Sequence, residues 1–248
     1  MSAEAAARHL LSAYRNGTPV EPLADATPQT TDDAYVIQSE VLAALGETAG
    51  AFKIGRPDAD TVPIYAPIRA SSIFPSGTTL PDVESRLRGV ELEVAFRLKA
   101  APPAPDAPDF DDALAAAVVA LPVIEIVEAR LAEPDAADPL WKLADNQANG
   151  ALVYGDEVSD WKSLPLAAPK ARLTIGGASV FDKVATAPGG DPFASFAAFA
   201  RVVGQHCGGL KAGQIVICGS LTGVDFAKAG DAVEGTIDGL GTVTAAFA

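Results

Sequence analysis

The spacing of apolar and polar positions changes character near residue 50. Residues 2–15 are Ala-rich and predict a helix ending near Gly17. A Pro-containing loop follows from Thr18 to Thr30, and then a second helix. Thr30 and Thr31 offer a hydroxyl cap, Asp32 and Asp33 place acids in the first turn, and both favour a helix N-terminus. Val36, Ile37, Val41, Leu42 and Leu45 form the apolar stripe, and Gly46 ends it. Beyond this point strand-like runs dominate: 51–55, 90–98, 123–130, 151–154, 170–175, 178–182 and 214–218. Residues 232–237 and 242–247 predict a hairpin around Asp238-Gly239. Two helices interrupt the strands. One spans 112–120, with Asp111 as cap and Pro122 ending it; the other opens at Asp191-Pro192 and runs to about His206. Residues 56–89, with prolines at 57, 63, 67, 75 and 81, predict irregular structure. Helices first, then strands, is an α+β order, with a helical segment over 1–50 and a catalytic domain over 51–248.

Composition narrows the function classes. A net charge of −14 over 248 residues disfavours nucleic acid as a partner. It also means that an anionic substrate needs a local positive site, which a bound cation would supply. Two cysteines, Cys207 and Cys218, are too few for a disulfide framework. No run reaches the roughly 18 apolar residues of a membrane span, and no secretory leader is evident. The expectation is a soluble, cytoplasmic protein.

The chemistry concentrates in carboxylates. In a strand over 90–98, Leu92, Val94, Phe96 and Leu98 share one face, while Glu91 and Glu93 share the other. Side chains two apart lie about 7 Å from each other, so these acids repel unless water or a cation intervenes. By itself this segment reads as an amphipathic strand with a solvated face. The run Pro122-Val123-Ile124-Glu125-Ile126-Val127-Glu128 changes that reading. Glu125 sits among apolar neighbours, and a buried glutamate needs a cation, a hydrogen-bond network or a proton. Glu128, two residues before Arg130, is expected in a local ion pair. Three glutamates from two strands would make a hard-oxygen site suited to Mg2+ or Mn2+. His9 and His206, the two histidines, fall on helices far from these acids and are expected to take no part.

Further markers keep a fixed order: Ala51-Phe52-Lys53-Ile54-Gly55, Glu91-Leu92-Glu93, Pro122 to Val127, Ala144-Asp145-Asn146, Gly219 to Gly223, Ala229-Gly230-Asp231 and Gly239 to Val243. Taken together, the chain resembles the 2-keto-4-pentenoate hydratase and 2-oxo-3-hexenedioate decarboxylase branch of the fumarylacetoacetate hydrolase superfamily, over roughly residues 5–247. The resemblance implies a mixed β-roll with a metal at its mouth, held by Glu91, Glu93 and Glu125, and assemblies of two or more copies. It implies catalytic roles for Lys53 and Asp145. Arg56, Asn146, Ser220 and Thr222 would meet a small 2-oxo or 2-hydroxydienoic acid. The substrate would chelate the metal through its carboxylate and C2 oxygen, and water would add to the conjugated system.

Some positions depart from the branch's pattern. Ala148 stands where relatives place a serine, Ile64 where they place an acid, and Arg56 where they place an apolar residue. Decarboxylation of a 2-oxo-dioate uses the same enolate logic and stands as the alternative, followed by acylpyruvate-type C–C hydrolysis and by a degenerate member that only binds a small acid. From the residues alone, Gly219 to Gly223 fits a plain Gly-rich turn as well as a substrate-binding one, and Asp145-Asn146 fits an Asx turn.

Overall fold

A computed structural model of the chain describes residues 2–81 and 87–248. In chain order the elements are α1 (Ser2–Asn16), α2 (Thr31–Ala44), β1 (Ala49–Gly55), β2 (Ile64–Arg69), β3 (Ile73–Pro75), β4 (Thr78–Leu80), β5 (Gly89–Leu98), α3 (Phe110–Ala116), β6 (Val118–Val127) and α4 (Pro139–Ala144). Then follow β7 (Asn149–Tyr154), β8 (Lys170–Ile175), β9 (Ala178–Val184), α5 (Pro192–Val202), β10 (Ile215–Ser220), β11 (Asp225–Phe226), β12 (Ala232–Ile237) and β13 (Gly241–Phe247). The architecture is α+β with mixed sheets, as the sequence predicts. None of the helices is long and apolar enough to cross a membrane, among the described residues.

One sheet runs β2-β1-β10-β5-β6-β7-β3, with β11 added alongside β5, and the other runs β4-β13-β12-β8-β9. The β1–β10, β3–β7 and β4–β13 pairs are parallel, and the rest are antiparallel. The main core lies between the sheets, where Leu92, Phe96, Ile124, Leu173 and Val243 are all buried. Gly235 on β12 shows how closely they approach, because a Cβ there would fall 2.5 Å from Leu92 Cδ1. Helices α1 and α2 do not complete a core alone; Leu10, Ile37 and Val41 pack against Leu131, Trp141 and Leu143.

Several boundaries differ from the sequence expectation. The helix expected over 112–120 stops at Ala116, and β6 begins at Val118 and passes through Pro122. A strand buried on both faces carries a continuous apolar run, so the 3.6-residue and 2-residue rhythms cannot be separated there. The β-branched residues Val118, Val119, Val123 and Ile124 favour the strand. Pro122 is tolerated because its carbonyl accepts from Gly155 N–H at 2.9 Å, just past the end of β7. The edge on which proline lacks a donor is therefore one where the ladder is already finishing. The stretch 56–89 is more regular than expected, holding β2, β3 and β4; residues 82–86 of it lie outside the described residues. Helix α5 ends at Val202, short of His206. Val36 of the predicted α2 stripe is exposed, and Ala34 and Gln38 are buried in its stead.

Candidate metal centre

Glu91 and Glu125 face each other directly across the β5–β6 ladder, and Glu93 is next along the same face of β5. One oxygen from each of the three lies within 4.8 Å of the others. Glu93 and Glu125 are buried and Glu91 is half-buried. Residues 90, 92 and 94 fill the intersheet core on the opposite face, so the strand alternation drives all three acids to one spot. Burial, and then the neighbouring Glu125 charge, raises the pKa of both Glu91 and Glu93, that of Glu93 well above its ordinary value. Glu93 Oε2 accepts from Gly219 N–H at 2.6 Å.

Lys53, on β1, is the cation of the cluster. Its Nζ donates to Glu125 Oε1 at 2.7 Å and to the Gln147 carbonyl at 3.0 Å. Burial pulls the Lys53 pKa down, but the three glutamates together outweigh it, and the ammonium form is favoured. Asn149 Nδ2 also donates to Glu125 Oε1, at 2.8 Å. Among the described residues, Glu125 Oε2 is left buried with no hydrogen-bond partner. Three carboxylates and one ammonium make an unbalanced group in a buried place, and an unpaired carboxylate oxygen there is costly. Converging carboxylate oxygens suit a hard divalent cation, and no histidine or cysteine joins them, among the described residues.

Residues 40–248 match the fumarylacetoacetate (FAA) hydrolase C-terminal family. The chain belongs to the fumarylacetoacetate hydrolase family. It is 29% identical to the 2-hydroxyhexa-2,4-dienoate hydratase of Comamonas testosteroni, over 98% of this chain and 97% of that protein. It is 28% identical to the 2-keto-4-pentenoate hydratase of Paraburkholderia xenovorans (strain LB400), over 98% and 94%. Among solved structures, the 4-oxalocrotonate decarboxylase from Pseudomonas putida G7, complexed with magnesium and adipate, superposes with a TM-score of 0.83 at 22% identity, covering 99% of this chain and 97% of that one. At that identity the likeness speaks for the fold.

The remaining candidate residues of this fumarylacetoacetate hydrolase family member take varied places. Asp145 is held by Arg130: the Nε–Oδ1 distance is 2.5 Å, and Oδ2 accepts from Arg130 N–H at 2.8 Å. The carboxylate that Arg130 meets is thus that of Asp145; from Glu128, Arg130 takes the backbone carbonyl. Asn146 Nδ2 donates to the Tyr14 hydroxyl at 3.1 Å. Arg56 folds over its own loop and donates to the Thr61 and Ala59 carbonyls. Ser220 is opposite Glu93 in register, and its buried hydroxyl makes no hydrogen bond among the described residues. The Thr222 hydroxyl accepts from Leu92 N–H at 3.2 Å, tying the turn to β5.

Sequence reasoning missed Gln147 and Asn149. Gln147 acts through its backbone, and Asn146, Gln147 and Ala148 all have left-handed φ, at 52°, 50° and 58°. Such a run costs on the order of 1–2 kcal/mol per non-glycine residue. It announces itself by no glycine, and only Asn146 is a residue type that tolerates it. A polar residue opening a strand, Asn149, was the one visible signal. Gln147 and Ala148 also line a cavity of about 570 Å³.

Proposed function

We propose that this protein is a hydro-lyase that adds water to a 2-hydroxy-2,4-dienoate, using Mg2+ or Mn2+ held by Glu91, Glu93 and Glu125. The observation that carries this reading is the unbalanced carboxylate cluster with its unpaired Glu125 oxygen. Two relatives named as hydratases, similar along nearly the whole chain, support the reaction class. A bound divalent ion would supply Lewis-acid stabilisation of the charge that develops on the substrate's C2 oxygen.

The protein's own groups do the rest. Lys53 has three N–H donors, of which Glu125 and Gln147 take two. The third remains for the substrate carboxylate or for handing over a proton. Asn149 and Lys53 together fix Oε1 of Glu125, which leaves Oε2 as its free acceptor. The Gly219 N–H likewise fixes Oε2 of Glu93.

The test is a spectrophotometric assay with Mg2+ or Mn2+, offering 2-hydroxypenta-2,4-dienoate and 2-oxo-3-hexenedioate in parallel with product identification. Hydration of the dienoate, abolished by chelator and by Glu125→Gln, is the expected result. Carbon dioxide release from the hexenedioate, without hydration of the dienoate, would assign the decarboxylase reaction in its place.

A further inference from the structure

The 570 Å³ cavity begins where the glutamate cluster ends. Along the β5–β6 ladder the pair after Glu91–Glu125 is Gly89–Val127, on the same face, about 7 Å further on. Val127 lines the cavity. Gln147 lines it too, while its backbone carbonyl holds Lys53. Gln147 and Ile64 meet over the end of β1, where a Cβ on Gly55 would lie 2.7 Å from Gln147 Oε1 and 3.0 Å from Ile64 Cγ1. Cluster and cavity thus adjoin: Val127 is one same-face pair along the ladder from Glu125, and Gln147, which lines the cavity, holds Lys53.

The lining has a definite chemistry. Ile64, Leu87, Val127, Leu131, Val224 and Phe226 give the wall its large apolar side chains, with Leu143 beside them. Ile64, Leu87, Val224 and Phe226 are large apolar side chains left exposed to solvent, Phe226 by 60%. Several exposed apolar residues gathered round one opening mark a binding surface. The charges in the lining are Asp135, Asp145 and Lys142, among the described residues. Asp145 is committed to Arg130, and Lys142 Nζ donates to the Asp135 carbonyl at 2.9 Å. A second carboxylate entering here would meet two acids against one lysine. An alkyl chain would meet apolar carbon.

We infer that this cavity takes an uncharged, apolar extension at the far end of the substrate, so that the preferred dienoate is alkyl-substituted and is not a dicarboxylate. This rests on the hydratase reading of the adjoining cluster. At that end of the substrate, specificity comes from Ile64, Val127, Val224 and Phe226.

The experiment compares, on the Mg2+-loaded protein, 2-hydroxy-2,4-dienoates bearing hydrogen, methyl or propyl at C5 with one of equal length ending in a carboxylate. Each added methylene should raise kcat/KM by roughly three- to tenfold, and the carboxylate-tipped compound should fall at least about tenfold below its alkyl counterpart. The same order should hold in calorimetric dissociation constants for saturated 2-oxo acids: 2-oxopentanoate, 2-oxooctanoate and 2-oxosuberate. This second measurement needs no turnover, so failure of the hydratase reading alone would leave the binding order intact. Phe226→Ala and Ile64→Ala, both at exposed positions, should flatten the dependence on chain length in both measurements. A flat series in the unmodified protein overturns the inference, and so does a slope that survives both substitutions. A preference for the carboxylate-tipped compound that Lys142→Met abolishes would overturn it in favour of a dicarboxylate site.

Discussion

Arg130 and Asp145 lie as deep in the protein as Lys53 and Glu125, but only the first group is balanced. Arg130 meets one carboxylate through two donors, and three more of its N–H groups go to the Glu128, Asn149 and Asp145 carbonyls. The Tyr14 ring covers its guanidinium at 4.6 Å. This is charge burial carried to completion, and it pins the loop after β6 to the turn before β7. Among the described residues, the Lys53 group has a single cation against three acids and leaves a carboxylate oxygen without a partner. A buried charge group that is finished serves the fold, whereas one left unfinished is arranged to receive something else. The two groups adjoin through residues 145–149, so the finished one holds the unfinished one in place.

The largest effects should separate the two groups by the property they damage. Glu125→Gln keeps an acceptor for Lys53 and Asn149 but removes a charged oxygen from the cluster. It should lower kcat/KM by about a thousandfold or more, on the order of 4 kcal/mol. Urea unfolding of the same variant, metal-free, should show no loss of stability, because a mutual repulsion has been relieved. Arg130→Met should do the reverse. Leaving Asp145 buried and unpaired should cost about 3–5 kcal/mol in urea unfolding. Adding Asp145→Leu to Arg130→Met should restore most of that loss. If Arg130→Met leaves stability intact, the distinction between the groups fails.

A somewhat smaller effect tests the excess of negative charge directly. Mg2+ at about a hundredfold excess over its dissociation constant should stabilise the protein by about 2.7 kcal/mol. Thermal unfolding with and without the ion reads this. Glu125→Gln should lose the shift while Arg130-side variants that still fold, such as Tyr14→Phe, should keep it. A shift of equal size in Glu125→Gln would place the ion elsewhere.

The contrast also explains what the sequence could disclose. Glu91 and Glu93 were legible because strand alternation alone puts them on one face, and Glu125 because it interrupts an apolar run. The facing of Glu91 and Glu125 was not legible, since register depends on where β6 starts, and the run from Ala113 to Leu121 has no rhythm that separates helix from strand. The main partner of Arg130 was missed for a related reason, although the Glu128 charge also favours its guanidinium. Glu128 is close in sequence, but Asp145 is brought back by α4, a contact across 15 residues. The prolines at 63, 67 and 75 masked β2 and β3, whose pairing depends on tertiary neighbours. Lys53 could be placed on a strand, yet its anchor, a backbone carbonyl in a left-handed turn, leaves no mark in side-chain chemistry.

A third buried ionisable group marks the small end of the scale. His206 is half-buried, flanked by the rings of Tyr35 at 5.0 Å and Tyr65 at 5.5 Å, with Nε2 2.8 Å from Gln38 Oε1. Cys207 Sγ lies 3.4 Å away, and Asp32 and Glu40 share the shallow pocket beside it. Neither acid forms an ion pair with the ring, and burial pushes the His206 pKa down from 6.5 to about 4. This histidine meets the cost of burial by giving up its proton, where Arg130 finds a counter-charge and Lys53 finds an excess of them. The sign follows from linkage: above pH 6.5 the imidazole is neutral whether the chain is folded or not, and between about 6.5 and 4 only the unfolded chain takes the proton. His206 should therefore subtract stability as pH falls through that window, by on the order of 1–2 kcal/mol once its partial exposure is allowed for. Urea unfolding across this range should show a shallower decline for His206→Gln than for the unmodified protein. Parallel declines would mean that the imidazole is charged in the folded state, and that a carboxylate, Asp32 or Glu40, has become its partner.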